Sequence, residues 1–256
     1  MSNETPHDCK QCSLYYDPEN FCACLSSNEL TDLNKESRTV KMKRNESFAD
    51  DALLQWPIVA ISSGVLSLQH ILEDGRKSIA ALFTRGDIVD LRSISNRNRG
   101  SLIALGASEV CRLSPAVFEL IVADNPSASR IVWDNLREQT FRAIDHSVDL
   151  AKKQALEKLA SFIFECSHRD LDQSKNRSKV NIPIRRIDLA EYIGMQPETV
   201  SRCFRDLEDK GIIEFEKLSA LTIKNIPALR RIANGDKDLS EAHMPTRLDM
   251  KILSFG

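Results

Sequence analysis

This 256-residue chain lacks several features that would assign it quickly. It has no excess of charge: 35 Lys and Arg stand against 37 Asp and Glu, a net −2. No overall polycation announces nucleic acid, so any affinity for phosphates has to come from a local basic face. No apolar run approaches the roughly 20 residues of a membrane helix. The start, Met1-Ser2-Asn3-Glu4-Thr5-Pro6, lacks the basic-then-apolar pattern of a signal peptide, which leads to the expectation of a cytoplasmic protein with no membrane partner. There is no P-loop, dinucleotide fingerprint or nucleophile elbow, so an enzyme is not expected. Glycine and proline are scarce, nine of each, and neither occurs between residues 127 and 165.

What is present falls into blocks. Residues 1–30 are polar and carry Cys9, Cys12, Cys22 and Cys24, a segment that reads as a loop tied down by something other than a core. In a reducing cytoplasm the chain's seven cysteines are not expected to form structural disulfides. Residues 31–120 read as short strands: 57–61, then Ser62-Ser63-Gly64, then 65–72, Glu73-Asp74-Gly75, 78–83, Gly86-Asp87 and 102–105. Such spacing predicts a small antiparallel β-barrel or roll.

Residues 121–155 change period. Phe141, Ile144, Val148, Ala151 and Ala155 recur at 3-4 spacing, a stripe that suits a partner helix in a homodimer; packing on the chain's own β-domain is the other reading. Thr140, Ala143 and Ser147 would make one edge of that seam weak. Ser167 to Lys179 is a polar linker. Within 156–233, Arg186 to Ile193 forms a first helix with Asp188 as its N-cap, Gly194-Met195-Gln196 the turn, and Pro197 to Lys210 a second helix ended by Gly211. Strands 212–215 and 221–223 complete a winged helix-turn-helix. Residues 234–256 read as a loose tail. The fold class expected is α+β: an N-terminal antiparallel β-roll like those that bind cyclic nucleotides, a long dimerisation helix and a C-terminal winged helix-turn-helix.

In this helix pair Leu189, Ala190, Ile193, Val200, Phe204 and Leu207 face inward. Glu198, Ser201 and Arg202 share the opposite face of the second helix, because i, i+3 and i+4 are helical neighbours. A carboxylate accepts from a cytosine amino group, a guanidinium donates twice to guanine, and a serine meets a thymine methyl or a phosphate. A Glu198–Arg202 ion pair on a solvated face is the bland alternative. Thr199 adjoins this face, and Arg205, one turn beyond Ser201, could touch the DNA backbone. From 175 to 205, Lys175, Arg177, Lys179, Arg185, Arg186, Arg202 and Arg205 outnumber Asp188, Glu191 and Glu198, a footprint for phosphates of double-stranded DNA.

Roll, long helix and winged helix, in that order, resemble the CRP/FNR superfamily of bacterial transcription regulators over about residues 9 to 230. Glu198-Thr199-Val200-Ser201-Arg202 matches the E-x-x-S-R recognition motif of the FNR (fumarate and nitrate reduction) type. Leu189-Ala190-Glu191-Tyr192-Ile193-Gly194-Met195 and Gly86-Asp87-Ile88-Val89 are also similar to family segments. The resemblance implies a homodimer on a palindrome of TTGAT half-sites, contacts from Glu198, Ser201 and Arg202, and RNA polymerase as a partner. It also implies an oxygen-labile [4Fe–4S] cluster on three N-terminal cysteines and one in the roll, with Cys9, Cys12 and Cys111 where three ligands are expected.

The fourth ligand is Cys22 or Cys24. Cys22 is favoured, although its nine-residue gap from Cys12 exceeds the family's usual one. A four-cysteine zinc site and direct thiol oxidation stay open as alternatives. The cyclic-AMP branch fits less well, since Asp90-Leu91-Arg92-Ser93-Ile94 has no G-E segment ahead of it. For haem, His7 and His70 are the available ligands, both read more simply as surface residues. Cys166 and Cys203 read as packed.

Overall fold

A computed structural model describes residues 4–6, 8–48, 55–71, 73–95, 100–168, 178–217 and 219–236. His7, Lys175, Arg177 and the tail beyond 236 lie outside them. The roll is built from β1 (Glu4–Pro6), β2 (Ser37–Met42), β3 (Ile58–Ser63), β4 (Val65–Ile71), β5 (Lys77–Thr84), β6 (Ile88–Asp90), β7 (Ser101–Ala104) and β8 (Ser108–Leu113). They form two antiparallel sheets ordered β1-β2-β8-β3-β6 and β5-β4-β7. Alternating residues of both sheets bury Val59, Ile61, Leu66, Val89, Leu102 and Val110 between them. Gly64 and Gly75, both at positive φ, turn the chain where the sequence pattern placed turns.

The cysteine-bearing segment is not the coreless loop expected. Leu14, Phe21 and Leu25 are buried, and Phe21 meets Phe118 at 5.0 Å between ring centroids. Two 3-10 turns, Cys9–Gln11 and Phe21–Cys24, lead into helix α1 (Ser27–Lys35). Helix α1 starts at a capping box: Ser26 N–H donates to Glu29 Oε2 at 2.7 Å, and Glu29 N–H donates to Ser26 Oγ at 3.4 Å.

After α2 (Leu91–Ser95) and α3 (Pro115–Asp124), the long helix α4 runs from Pro126 to Lys152. Asn125 caps it, accepting from the Ser127 and Ala128 amides. The helix stops at Lys152, with two residues between it and Ala155. Lys153 is extended, its ammonium tied to Asp149 at 2.6 Å and Ser161 at 2.7 Å, and Gln154 N–H donates to Glu157. Ala155 therefore opens the next helix, α5 (Ala155–His168), rather than closing the stripe. Among the described residues no helix is long and apolar enough to cross a membrane.

The C-terminal unit comprises α5, β9 (Lys179–Asn181), α6 (Arg186–Ile193), α7 (Pro197–Asp209), β10 (Ile213–Phe215), β11 (Ala220–Ile223) and α8 (Ile226–Ala233). Its wing has three strands, ordered β10-β11-β9, because Val180 leaves the polar linker to pair with Leu221. Leu159, Ile163, Leu189, Val200, Leu207 and Ile213 form its centre, and Val65, Ile79 and Leu105 of the roll share that core.

Candidate functional site

Gly194 ends α6 in the left-handed conformation, φ 65° and ψ 48°, and Met195 N–H donates to Ala190 O at 2.9 Å. A Cβ at Gly194 would sit 3.0 Å from Leu150 of the long helix, so both conformation and space call for glycine. Pro197 occupies the first turn of α7, where its missing N–H costs nothing. Val200, Phe204 and Leu207 are buried together with Leu189, Ala190 and Ile193, as the helical spacing requires. Glu198, Arg202 and Arg205 are exposed, with Thr199 and Ser201 half-buried beside them.

The bland ion pair does not form. Arg202 Nη2 donates to Thr199 Oγ1 at 3.2 Å, and among the described residues Glu198 makes no ion pair. Ser201 Oγ donates to the Pro197 carbonyl at 3.0 Å, so its lone pairs and methylene are what it can present outward.

Asp188 is not a cap. Arg185 holds the N-cap position of α6, and Asp188, 3% exposed, meets Arg44 of the roll at 2.6 Å. One turn on, Glu191 pairs with Lys77 at 3.1 Å. Two of the three acids in the basic segment are thus neutralised from the roll. Arg186 does not stand free in solvent either. Its guanidinium lies 3.4 Å over the Phe204 ring and 5.1 Å from that of Phe215, joining the first helix, the recognition helix and the wing. Burial pulls its pKa down to about 10, so it remains a cation at neutral pH. Composition gave no signal for this sandwich.

The apolar stripe of α4 is not covered by the chain's own roll. Phe141, Ile144 and Val148 are each more than half exposed. The roll instead meets the polar face of the same helix, where Asn135 and Gln139 hydrogen-bond the backbone around Ile88 and Arg142 pairs with Asp87.

The second site lies at the other end of the roll. Cys9 and Cys12 on the first 3-10 turn, Cys22 on the second and Cys111 on β8 are all buried in one cluster. Cys111 is fixed by pairing on both sides, opposite Thr39 of β2 and Ala60 of β3. The four thiols feel one another electrostatically: Cys22, Cys9 and Cys12 each raise the pKa of Cys111, behind the larger effect of burial. Burial, then Cys12, pushes Cys9 up to about 11, and burial raises Cys12 and Cys22 as well. The Ser37 hydroxyl, which donates to the Asn34 carbonyl at 3.3 Å, works against that rise at both Cys9 and Cys111. Cys24, half-buried, packs at the edge of this cluster and also raises Cys22, while its Sγ donates to the Phe21 carbonyl at 3.1 Å. Cys166 and Cys203 are packed in the core of the C-terminal unit.

Among the described residues no three Cys, His, Asp or Glu side chains converge on one point as ligands of a single ion would. A zinc ion needs its sulfurs about 2.3 Å from one centre. A four-iron cluster takes one thiolate at each iron, and four gathered cysteine thiols are a donor set that suits such a cluster as well as zinc. Among the described residues Arg92 does not stand ready for a nucleotide phosphate: it is engaged by Asp90 at 2.8 Å and by Glu119 at 3.0 Å.

A β-roll joined by a long helix to a winged helix-turn-helix is the architecture of a DNA-binding transcription regulator. Residues 157–232 match the Crp-like helix-turn-helix domain. The chain is 30% identical over 213 residues to the nitrogen fixation regulation protein FixK of Bradyrhizobium diazoefficiens, covering 83% of this chain and 89% of that one. It is 27% identical over 243 residues to the fumarate and nitrate reduction regulatory protein of Yersinia pestis, covering 90% and 91%. The structure of FixK2 from Bradyrhizobium japonicum superposes with a TM-score of 0.62 at 22% identity, covering 81% of this chain and 99% of that one. The chain belongs to the CRP/FNR superfamily of transcription regulators and is not an enzyme.

Proposed function

We propose that this chain is a redox-responsive regulator. Its homodimer reads a palindrome of TTGAT-like half-sites on double-stranded DNA, under control of a [4Fe–4S] cluster held by Cys9, Cys12, Cys22 and Cys111, and acts on RNA polymerase. The observation that carries the cluster reading is the burial of these four thiols in one patch, with the less buried Cys24 at its edge, bonded to the Phe21 carbonyl. Burial raises Cys9 and Cys22, which opposes any reading that needs a thiolate, direct oxidation and ligation alike. A bound cluster supplies a redox-active, oxygen-sensitive centre and holds its thiols deprotonated.

The rest is the work of the chain. Liganded, Cys9, Cys12 and Cys22 fasten their two turns to Cys111 on a strand that cannot shift. The second of those turns packs against the start of α4. Asn125, the cap of α4, donates to Glu29 at 3.0 Å and to the Cys24 carbonyl at 3.5 Å, so the order of the segment bears on the seating of the helix. The exposed Phe141, Ile144 and Val148 then meet the same stripe of a second copy, and two recognition helices sit at half-site spacing. Arg202 donates to guanine, Glu198 accepts from cytosine, Ser201 meets a thymine methyl, and Arg205 with Thr199 reaches the backbone.

Anaerobic reconstitution with iron and sulfide is expected to give a broad brown absorbance that fades in air, with four irons per chain and no zinc. A colourless protein with one zinc per chain would reverse the assignment. In a gel-shift on a TTGAT palindrome, Arg202→Ala should cost about 1–3 kcal/mol and relax one base position. A variant that keeps the parent's preference at every position would remove Arg202 from the reading face.

A further inference from the structure

The turn Arg85-Gly86-Asp87 sits between the cysteine segment and the long helix and is bonded to both. On one side, Arg85, mostly buried, pairs with Asp17 at 2.7 Å and donates to the Ser13 carbonyl at 2.8 Å. Ser13 directly follows Cys12. Gly86 has φ +88°, and a Cβ there would lie 2.7 Å from Oδ1 of Asn20, a buried residue two positions before Cys22. Arg85 thus holds the stretch that separates Cys12 from Cys22 at Ser13 and Asp17, and Gly86 lies close against its far end at Asn20.

On the other side, Asp87 pairs with Arg142 at 2.7 Å with both side chains largely buried. The second Asp87 oxygen accepts from Thr84 N–H at 2.8 Å and closes the turn on itself. Asn135 spans the turn, accepting from Ile88 N–H at 3.0 Å and donating to the Gly86 carbonyl at 3.1 Å. Gln139 donates to the Ile88 carbonyl at 3.0 Å and to Asn135 Oδ1 at 2.7 Å. Residues 135, 139 and 142 recur at i, i+4 and i+7, one face of α4, while Phe141, Ile144 and Val148 stand on another. A shift of the turn therefore moves a row of anchors along the helix, and with it the angle at which the apolar stripe faces a partner.

We propose that Arg85-Gly86-Asp87 is the coupling element of the switch, with Arg142, Gln139 and Asn135 as positioning residues, so that ordering of residues 13–20 and pairing of the long helices are one equilibrium. This rests on the dimeric, cysteine-controlled reading above. Linkage makes the coupling reciprocal: whatever ordering the segment does for dimerisation, dimerisation does for the segment by the same factor.

The test uses the reduced, metal-free full chain, comparing wild type with Arg142→Gln, Gln139→Ala and Arg85→Gln. Sedimentation equilibrium reads the dimer, and amide hydrogen exchange reads residues 9–25. Arg142→Gln is expected to raise the dimer dissociation constant about tenfold and to speed exchange over residues 9–25, far from the substitution. Arg85→Gln should do the converse, freeing its own segment and weakening the remote seam. Gln139→Ala, a gentle change in a helix, should move both readouts in the same direction by less.

A weakened dimer with wild-type exchange over 9–25 in the helix variants overturns the coupling. So does a freed segment with an unchanged dimer in Arg85→Gln, the chain being held at concentrations high enough to populate the weak dimer of its metal-free form. Neither readout involves metal, so a chain that takes up no iron and sulfide would remove the cluster reading and leave this coupling standing.

Discussion

Cys111→Ala is expected to abolish both iron uptake and anaerobic binding to the palindrome while leaving the roll folded. Cys111 is the one proposed ligand on a strand hydrogen-bonded from both sides, and the other three ride on short 3-10 turns. Without it the turns have no fixed point to close on. The loss should be large, because the penalty is that of losing the second half-site and not one contact: linked sites gain about 10²–10⁴ in avidity, and a monomer forgoes it. Alanine suits the test because the position is apolar and buried, where serine would leave an extra hydroxyl among Ser37 and the remaining thiols. Cys22→Ala should behave like Cys111→Ala, and Cys24→Ala like wild type, since its sulfur is turned to the Phe21 carbonyl. Anaerobic binding retained by Cys111→Ala, with absorbance unchanged, would sink cluster control. Equal losses in Cys22→Ala and Cys24→Ala would show that the ligand had been chosen wrongly.

The helix-turn-helix was legible in the sequence because everything that specifies it is local. A glycine at the left-handed position, a proline in the first turn and apolar residues at 3-4 spacing suffice. The strands of the roll were legible for the same reason, through period two and glycine turns. Some local signals went unread. Ser26-Ser27-Asn28-Glu29 is a capping box and announces α1. Asn225-Ile226-Pro227 marks the start of α8, where Asn225 accepts from Ala228 N–H at 3.0 Å. The end of α4 carried no glycine or proline; it is set by Lys153 folding back on Asp149 and Ser161, a stop signal that composition does not encode.

The pairings that join distant segments were not legible. Whether the stripe of α4 faced the roll or a partner was open in the sequence, and the structure turns Asn135, Gln139 and Arg142 to the roll. That these polar residues share a face was readable at helical spacing, but what they bind lies some fifty residues away. The gathering of Cys9, Cys12 and Cys22 with Cys111 was anticipated only through family resemblance. That Cys22 is buried in the cluster and Cys24 only half-buried at its edge was not readable from their spacing, because it depends on how the 3-10 turn packs against Phe118. Asp188 was placed at a helix start by the usual capping preference, but tertiary contact overrides that preference here.

Asp188→Ala is expected to destabilise the chain by about 3 kcal/mol, the low end of the 3–5 kcal/mol typical when one partner of a buried ion pair is removed. The low end applies because Arg44 keeps 22% of its side chain in solvent while Asp188 keeps 4%. Arg44 has a second hold, since its other terminal nitrogen donates to the Leu105 carbonyl, but a carbonyl does not neutralise the charge left behind. Glu191→Ala should cost far less, roughly 0.5–1 kcal/mol, because that pair is more open to solvent and its lysine can rehydrate. Replacing the pair together, Arg44→Met with Asp188→Leu, should recover most of the loss, as a buried pair exchanged for apolar groups of similar size is close to neutral. Urea unfolding of the four proteins measures this, and an Asp188→Ala cost no greater than that of Glu191→Ala would show the pair to be incidental. Both pairs run from the roll to α6, the helix that sets α7 by way of Gly194. The apolar core they flank is also shared across the same junction, with Val65, Ile79 and Leu105 of the roll packed among the residues of the C-terminal unit. The recognition helix is therefore oriented by the roll directly as well as through the long helix. The double variant separates the two routes: stability should return with the apolar pair, and whatever half-site affinity stays lost is the share that depended on the direction of the Arg44–Asp188 bond.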